Sequence, residues 1–276
     1  SENGFKEIRT WRELNKNTRK IINFFQKIKI KKNDRVAAYL PNYIETVESF
    51  LATSALGAIW SSCSPDFGVN GVIERFSQIK PKILIICDRY CYNGKEINVI
   101  NRLPKILSKI KSIKKVIIVN YPGKEFLNCK KFQNIKIFKW NEIKKLNSST
   151  IYFKKFDFNK ELVILFSSGT TGKPKCICHR AGGVLLQHLK EHILQCEIKP
   201  KDNVFYFTTC GWMMWNWLVS ALGSKASIVL FDGFPMYKKK DLLFKIANRE
   251  NISLLGVSAK YIDNLRNSKI NIKSKY

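Results

Sequence analysis

The feature that most constrains this chain is a nine-residue stretch at 167–175, Ser-Ser-Gly-Thr-Thr-Gly-Lys-Pro-Lys, between two strand-like runs. An apolar run at 162–166 precedes it, and a shorter run at 176–179 follows. Glycines let backbone N–H groups turn inward around an anion, hydroxyls donate hydrogen bonds to phosphate oxygens, and lysine adds positive charge. The stretch and its flanking strands therefore predict a loop that wraps a polyphosphate.

Two other interpretations of this loop are a Walker loop and an ordinary surface turn. A Walker loop has four residues between its glycines and a lysine followed by Ser or Thr. Here two residues separate Gly169 from Gly172, and Lys173 precedes Pro174, which has no backbone N–H. A P-loop NTPase is therefore a poor fit. An ordinary surface turn would suit Gly-Thr-Thr-Gly alone, but the full string favours the phosphate loop.

Composition limits the class of protein. With 276 residues and 45% apolar content, the chain can bury a core and hold one or two domains. The net charge of +28 comes from 39 Lys and 10 Arg that are spread along the whole chain. Base readout favours arginine, and the sequence has no zinc finger, RRM-type string or basic helix. We expect nonspecific attraction to polyanions and no dedicated nucleic-acid role.

The chain has eight cysteines, and their positions favour free thiols in a reducing compartment over a disulfide framework. They do not resemble a short secreted scaffold, so a reducing cytoplasm is the expected location. Cys87 lies in an apolar run, and Cys176 and Cys178 alternate with Ile177; we interpret these thiols as small buried groups. The chain begins Ser-Glu-Asn-Gly-Phe without Met, which predicts that it starts partway through a longer protein.

Residues 204–224 carry no charge over a length that could span a bilayer. A strand at 204–209, a break at Gly211 and a helix at 212–222 explain the segment better, so no membrane association is expected.

The order of predicted elements favours parallel α/β architecture, because strands and helices alternate at short intervals. A capping box, Thr10 with Glu13, starts a helix whose apolar stripe runs from Trp11 to Ile28. In the first unit, strands are predicted at 35–40, 58–61, 82–87, 115–119 and 135–138, and helices at 43–56, 69–79 and 97–110. In the second unit, strands are predicted at 162–166, 204–209, 227–231 and 252–256, and helices at 181–195, 212–222, 241–249 and from 259.

Two motifs remain open to more than one explanation. His188, Glu191 and His192 match a zinc pattern, H-x-x-E-H, with both imidazoles on one helix face, but no third ligand stands out downstream. Ordinary polar helix residues are the simpler explanation. The aromatic stretch 208–217 could be a core helix, yet it follows a strand end and a glycine, where α/β sheets form ligand crevices. Its broad side chains could wall a small acyl pocket.

Three further stretches sharpen the interpretation: Ser-Ser-Cys-Ser-Pro-Asp-Phe-Gly at 61–68, Gly-Gly-Val-Leu-Leu-Gln-His-Leu-Lys at 182–190, and Thr-Thr-Cys-Gly-Trp-Met-Met-Trp-Asn-Trp-Leu-Val-Ser at 208–220. With the loop string, they resemble the acetoacetyl-CoA synthetase family, the acetoacetate-activating branch of the adenylate-forming acyl-CoA synthetases. The resemblance extends from residue 10 to 260 and is fainter across 121–160. The loop string belongs to the wider superfamily, and Trp-Met-Met-Trp-Asn is the narrower discriminator.

The resemblance implies an α/β fold made of two parallel-type units from the large N-terminal domain of an adenylate-forming enzyme, incomplete. Residues 1–150 would form the first unit, and 151–276 the second, with the phosphate loop; the C-terminal domain would be absent. The implied reaction is a ligation: acetoacetate attacks the α-phosphorus of ATP, and CoA then attacks the acyl-adenylate. ATP, acetoacetate and CoA are the implied small-molecule partners, with Mg²⁺ sharing the phosphate charge.

The resemblance also implies roles for individual residues. Those implied to bind the ATP phosphates are Ser167, Ser168, Gly169, Thr170, Thr171, Gly172, Lys173 and Lys175. Trp212, Met213 and Met214 would line the acyl pocket, and Lys95 matches a basic position that touches a CoA phosphate in relatives.

Several superfamily motifs come later than this chain extends. The adenine-binding stretch, the aromatic-Gly-x-Thr-Glu motif that meets magnesium, the ribose-binding Asp, the hinge and the catalytic lysine are expected beyond Tyr276. We therefore expect an internal fragment with no metal ligand of its own that does not complete adenylation alone. A sister enzyme for acetate or another short acid and a non-catalytic nucleotide-binding fragment remain alternatives. The sequence does not indicate an oligomeric state.

Overall fold

The structure is a computed structural model that describes residues 1–148, 150–151, 153–167, 172–268 and 270–276. Its helices are α1 (Trp11–Lys27), α2 (Ile44–Ala55), α3 (Val69–Ile79), α4 (Leu103–Lys109), α5 (Trp140–Lys144), α6 (Ala181–Lys190), α7 (Met213–Ser220), α8 (Leu242–Arg249) and α9 (Ala259–Asn267). Its strands are β1 (Arg35–Tyr39), β2 (Ile59–Cys63), β3 (Ile83–Cys87), β4 (Arg89–Tyr92), β5 (Lys95–Asn98), β6 (Lys115–Val119), β7 (Lys136–Lys139), β8 (Glu161–Ser167), β9 (Lys175–Arg180), β10 (Asn203–Tyr206), β11 (Ser227–Val229) and β12 (Leu254–Gly256).

A seven-stranded sheet with the order β7-β6-β3-β1-β2-β8-β9 forms the centre of the fold. All its pairs are parallel except β8 with β9, which are antiparallel. Its inner strands β1, β3 and β6 are buried almost throughout, as expected for a parallel sheet with helices on both faces. Because the strands are parallel, the carboxyl ends of β1, β2, β3 and β8 lie at one edge, called here the carboxyl edge.

Helix α1 begins as its sequence predicts. The Thr10 hydroxyl accepts a hydrogen bond from the Glu13 backbone N–H at 3.2 Å, and the Glu13 carboxylate accepts one from the Thr10 N–H at 2.8 Å. The predicted apolar stripe is buried from Ile21 onward, but Trp11 is 53% exposed. The first turn of α1 is therefore less covered than the rest of the helix, which packs against α2 and α5.

A second, three-stranded parallel sheet has the order β11-β10-β12. The prediction placed the strand before the phosphate loop at the start of the second unit, whereas β8 pairs with β2 through Trp60 and Val163 and so extends the large sheet. The large sheet therefore ends with β9, and the second sheet begins with β10. The sequence did not indicate this, because pairing with a strand about a hundred residues earlier leaves no local signal. The division at 150/151 into two units stays a prediction.

The prediction of a helix over 97–110 is wrong in its first part. Residues 89–98 form an antiparallel hairpin, β4 with β5, and α4 starts only at Leu103 after a 3₁₀ turn. Asn93 and Gly94 connect the two strands with φ of 51° and 75°. A two-residue Asn-Gly connection with both φ values positive is the type I′ turn that matches strand twist. The Asn-Gly pair in the sequence is a hairpin signal that should have favoured two strands over a helix at this position.

The uncharged segment 204–224 folds in the predicted order of strand, break and helix, although the strand is three residues shorter at its end than predicted. β10 ends at Tyr206, Gly211 precedes α7, and a 3₁₀ turn follows at Ala221–Ser224. Within the described residues, no helix combines the length and apolar character needed to cross a bilayer.

Candidate functional site

The predicted phosphate loop leaves and re-enters the large sheet at its carboxyl edge. Ser167 is the last residue of β8 and Lys175 the first of β9, and the two are register partners. Gly172, Lys173 and Lys175 are exposed. Ser168, Gly169, Thr170 and Thr171 lie outside the described residues. The loop thus joins two strands of a hairpin, unlike a Walker loop, which leads into a helix.

The second half of the loop is anchored between its two lysines. Pro174 is buried, and its carbonyl accepts a hydrogen bond from Gln78 Nε2 of α3 at 2.9 Å. Gly172 has φ of 153° and open space where a Cβ would be, a backbone conformation that other residues rarely adopt. The anchored proline leaves Lys173 and Lys175 facing solvent on either side of it.

An arginine that sequence reasoning missed lies beside the loop. The Arg75 guanidinium is 4.4 Å from the ring centroid of Phe67 and 6.0 Å from that of Phe166, the residue before Ser167. Its Nη1 donates to the Gly71 carbonyl at 2.9 Å. The contact with Phe166 joins α3 to β8, which are far apart in the chain, so no local pattern in the sequence could have indicated it.

The segment between β10 and α7 crosses the ends of β1 and β2. Cys210 is its buried centre: its carbonyl accepts a hydrogen bond from Ser62 Oγ at 2.6 Å, and its Sγ donates to the Leu40 carbonyl at 2.8 Å. A Cβ on Gly211 would lie 3.5 Å from Phe67 and from the Ser62 carbonyl oxygen. The aromatic stretch predicted to wall a pocket therefore starts at the carboxyl edge, next to the ring on which Arg75 stacks.

The three residues predicted to line an acyl pocket occupy the first turn of α7 and its N-cap. Trp212 is 63% and Met213 45% exposed, so both present apolar surface at this edge. Met214 turns the other way and packs against the small core cluster around Trp217. Two of the three side chains are thus available to a ligand.

A buried network keeps the neighbouring loop 64–67 in place. Arg102 Nη1 donates to the Pro65 carbonyl at 2.8 Å and contacts the Tyr39 hydroxyl, which donates to the Phe67 carbonyl at 2.6 Å. Burial raises the pKa of Tyr39 to about 12, so its hydroxyl remains a donor at neutral pH. Asp66 accepts from Ser64 Oγ at 2.7 Å. The network fixes the position of Phe67.

Lys95 lies in the hairpin that follows β3. It is exposed and pairs with Tyr92 across the Asn93-Gly94 turn. The Glu2 carboxylate accepts hydrogen bonds from both turn N–H groups, at 2.9 Å and 2.8 Å. β3 and β8 are three strand spacings apart, about 14 Å, so the hairpin and the phosphate loop start at the same edge but do not touch at their bases.

The H-x-x-E-H motif forms a packed cluster. His188 Nδ1 is 2.8 Å from Ser220 Oγ, the His192 ring centroid is 4.3 Å from that of Trp217, and Glu191 accepts a hydrogen bond from the Trp217 indole at 2.8 Å. Both histidines are buried, which lowers the pKa of each. Among the described residues, no group of three or more His, Cys, Asp or Glu side chains could hold a metal ion.

The prediction that Cys176 and Cys178 are buried is wrong. Both thiols are exposed on β9, the last strand of the large sheet, although Cys176 Sγ lies 3.6 Å from Gln78 Oε1 of α3. Cys87, in the inner strand β3, is buried as predicted.

Comparison with known proteins identifies the class to which this architecture belongs. The family model described as AMP-binding enzyme matches residues 4–275, and the chain belongs to that family. Among similar proteins, acetoacetyl-CoA synthetase of Gallus gallus is 44% identical over 86% of this chain and 36% of its own length. Acetoacetyl-coenzyme A synthetase of Rhizobium meliloti is 44% identical over 93% of this chain and 39% of its own length.

A solved structure shows the same fold. The acetoacetyl-CoA synthetase from Streptomyces lividans superposes with a TM-score of 0.91 and 34% identity, over 99% of this chain and 41% of that one. The family assignment and the α/β fold expected from the sequence are confirmed. The chain spans less than half the length of the relatives it matches.

Proposed function

We propose that this chain is the part of an ATP-dependent acid–thiol ligase that holds the ATP phosphates, and that the acid is acetoacetate. The observation that carries the proposal is the arrangement at the carboxyl edge. The phosphate loop follows β8, the first turn of α7 lies over the ends of β1 and β2, and the Lys95 hairpin follows β3. Sites for phosphate, acid and CoA would then follow one another along a single edge.

The proposed reaction joins two anions and has two steps. A carboxylate oxygen of acetoacetate attacks the α-phosphorus of ATP, the bond to the β-phosphate oxygen breaks, and pyrophosphate leaves. The CoA sulfur then attacks the acyl carbon of the adenylate, and AMP leaves with the former carboxylate oxygen. Because both reactants of the first step are negatively charged, neutralisation and alignment limit its rate.

In this proposal the loop and its lysines neutralise the β- and γ-phosphates. Ser167 supplies a hydroxyl at the end of β8, and Lys173 and Lys175 supply mobile point charges. Ser168, Thr170 and Thr171 would add hydroxyls, and Gly169 and Gly172 a close backbone approach. Mg²⁺ would enter as the counter-ion of ATP and share this charge.

The acid would bind against the exposed surface of Trp212 and Met213. A β-keto acid as small as acetoacetate needs a short apolar wall and polar partners for its two oxygens, and the α7 turn offers such a wall. Lys95, on its Glu2-anchored hairpin, would reach a phosphate of CoA.

Phosphate binding can be tested on this chain with tripolyphosphate as the probe. Isothermal titration calorimetry should show that Lys175→Met weakens binding about tenfold, since a charge-assisted contact contributes on the order of 1.5 kcal/mol. Lys190→Met removes the same charge from an exposed position on α6 and is the matched control. Equal affinities of the two variants would overturn the assignment of the loop.

The choice of acid can be tested in a chimera. This chain would replace the matching segment of the Streptomyces lividans protein, with folding checked by circular dichroism. We expect ATP–pyrophosphate exchange that depends on acetoacetate and is at least about tenfold slower with acetate or propionate. A folded chimera that prefers acetate or propionate would contradict the acetoacetate assignment, while the loop assignment would still rest on the calorimetry.

A further inference from the structure

Five lysines surround a groove at the opposite edge of the large sheet from the candidate site. Lys27 and Lys29 come from the end of α1, Lys114 and Lys115 from the start of β6, and Lys136 from the start of β7. The groove has a volume of about 660 Å³, within the range of small-molecule sites. Strand amino ends form this edge, so the groove is separate from the phosphate loop.

The positive charges around the groove lack direct ion-pair partners among the described residues. In the part of the chain that the structure describes, none of the five ammonium groups lies within ion-pair or hydrogen-bond distance of another protein group. Partial burial lowers the pKa of Lys115, the like charge of Lys82 adds to the effect, and the carboxylate of Asp34 opposes it. Lys82 itself is paired with Asp34 at 2.7 Å. Glu142 is the acidic residue that lines the groove, so positive charge dominates there.

The floor of the groove is apolar. Phe24 and Phe138 meet edge to face with ring centroids 5.0 Å apart, and Ile28 and Leu146 complete the surface. A small inorganic anion would satisfy the lysines but would leave the half-buried Phe138 and Leu146 side chains in contact with water. An anion with a hydrocarbon chain would satisfy both, because alkyl burial and charge pairing then act on one molecule.

We propose that this groove binds a single-chain fatty carboxylate. The carboxylate would lie among the lysines, which as flexible point charges accept an anion in several orientations. The alkyl chain would lie along the Phe24 and Phe138 rings. This inference is independent of the proposed ligase function.

The test uses decanoate and isothermal titration calorimetry on the whole chain. Affinity should rise from hexanoate through octanoate to decanoate, because each added methylene buries further apolar surface. The charge-reversal pair Lys114→Glu and Lys136→Glu, both at exposed positions, should weaken decanoate binding by about tenfold or more.

A second double variant separates this site from the general positive charge of the chain. Lys190→Glu with Lys260→Glu changes the net charge by the same amount at exposed positions on α6 and α9 and should bind decanoate like the unaltered chain. Circular dichroism confirms that each variant is folded. Equal weakening by both pairs, equal affinity for all three acids, or no binding of decanoate at millimolar concentration would each overturn the proposal.

Discussion

The indole nitrogen of Trp215 donates a hydrogen bond to Oδ1 of Asn42 at 2.9 Å, which ties α7 to the carboxyl end of β1. The Trp215 ring also lies nearly parallel to that of Trp60, at a centroid distance of 6.4 Å, and both are fully buried. The exposed turn with Trp212 and Met213 therefore rests on a rigid base. The packing explains how one helix can present apolar surface to a ligand while its other face belongs to the core.

Replacing Trp215 with Phe should destabilise the chain markedly. The substitution leaves Asn42 Oδ1 without its donor and opens a cavity beside Trp60, for a combined cost of about 2–4 kcal/mol in the free energy of unfolding. Urea unfolding followed by circular dichroism measures this cost. Trp11→Phe is the control, because Trp11 is 53% exposed, and its effect should stay within about 0.5 kcal/mol. Similar losses for both variants would refute the role assigned to Trp215.

Local patterns predicted local structure well. The capping box at Thr10 and Glu13 fixed the start of α1, and the break at Gly211 separated β10 from α7 in a segment that hydropathy alone could have mistaken for a membrane span. Periodicity and capping act within a few residues, so the sequence contains the information directly.

Long-range features could not be predicted in the same way. The pairing of β8 with β2 and the contact of Arg75 with Phe166 join residues that are far apart in the chain. The exposure of Cys176 follows from the position of β9 at the end of the sheet order, which alternation cannot indicate. The missed β4–β5 hairpin is different, since Asn93-Gly94 was a readable turn signal.

His192 should make the chain less stable in acid. Burial lowers the pKa of His192 to about 4, and the charge of His188 acts in the same direction. In the unfolded chain the histidine pKa is near 6.5, so between pH 6.5 and 4 the unfolded chain binds a proton at His192 while the folded chain keeps this side chain neutral. This contribution is fully present above pH ~6.5 and is lost as the pH falls towards 4, by about 3 kcal/mol in total.

The measurement compares urea unfolding of the parent and His192→Gln at pH 7, 6 and 5. Lost packing against Trp217 shifts the variant equally at each pH, so the difference in slope isolates the titration. The stability gap between parent and variant should narrow as the pH falls; a constant gap would show that His192 does not titrate in this way.

Glu48 should produce the opposite dependence. Its side chain is 1% exposed, and burial raises its pKa to about 7 against the opposing effect of its hydrogen bond from Asn17. An acid whose pKa is raised on folding contributes stability below its unfolded pKa and loses it as the pH rises through the folded value. The free energy of unfolding of Glu48→Gln, relative to that of the parent chain, should therefore rise by about 3 kcal/mol between pH 4.5 and 7.

The same urea series checks this prediction, and the two titrations serve as controls for each other. The Glu48→Gln difference should grow with pH, whereas the His192→Gln difference reflects a group that loses its contribution in acid. A Glu48→Gln difference that is flat between pH 4.5 and 7 would mean that the buried carboxyl ionises as it does in water.

Gly256 is required by its neighbour on the adjacent strand. It pairs with Tyr206 across β10 and β12, and a Cβ at this position would lie 2.0 Å from the Tyr206 ring. Gly256→Ala should therefore cost about 1–3 kcal/mol of stability. Gly183→Ala is the matched control: no atom lies within 4 Å of its Cβ position in the first turn of α6, and alanine should stabilise that helix by up to about 1 kcal/mol. In thermal unfolding, Gly256→Ala should have a lower midpoint than the parent, and Gly183→Ala an equal or higher one. A Gly256→Ala chain as stable as the parent would contradict the prediction.

An apolar face on α6 and the turn that follows should govern how the chain behaves in solution. Four apolar side chains there are 47%, 64%, 51% and 70% exposed: Leu185, Leu186, Ile193 and Leu194. The first two lie on α6, and the other two lie about two helical turns further on, in the π-helical turn Glu191–Gln195. Clustered apolar surface promotes association, whereas isolated apolar residues are tolerated. We expect concentration-dependent self-association in sedimentation velocity, which Leu186→Lys with Leu194→Lys should reduce. Ile8→Lys with Ile262→Lys adds the same charge at two exposed isoleucines elsewhere and should leave association nearly unchanged, so equal effects of the two pairs would assign the behaviour to net charge instead of to this face.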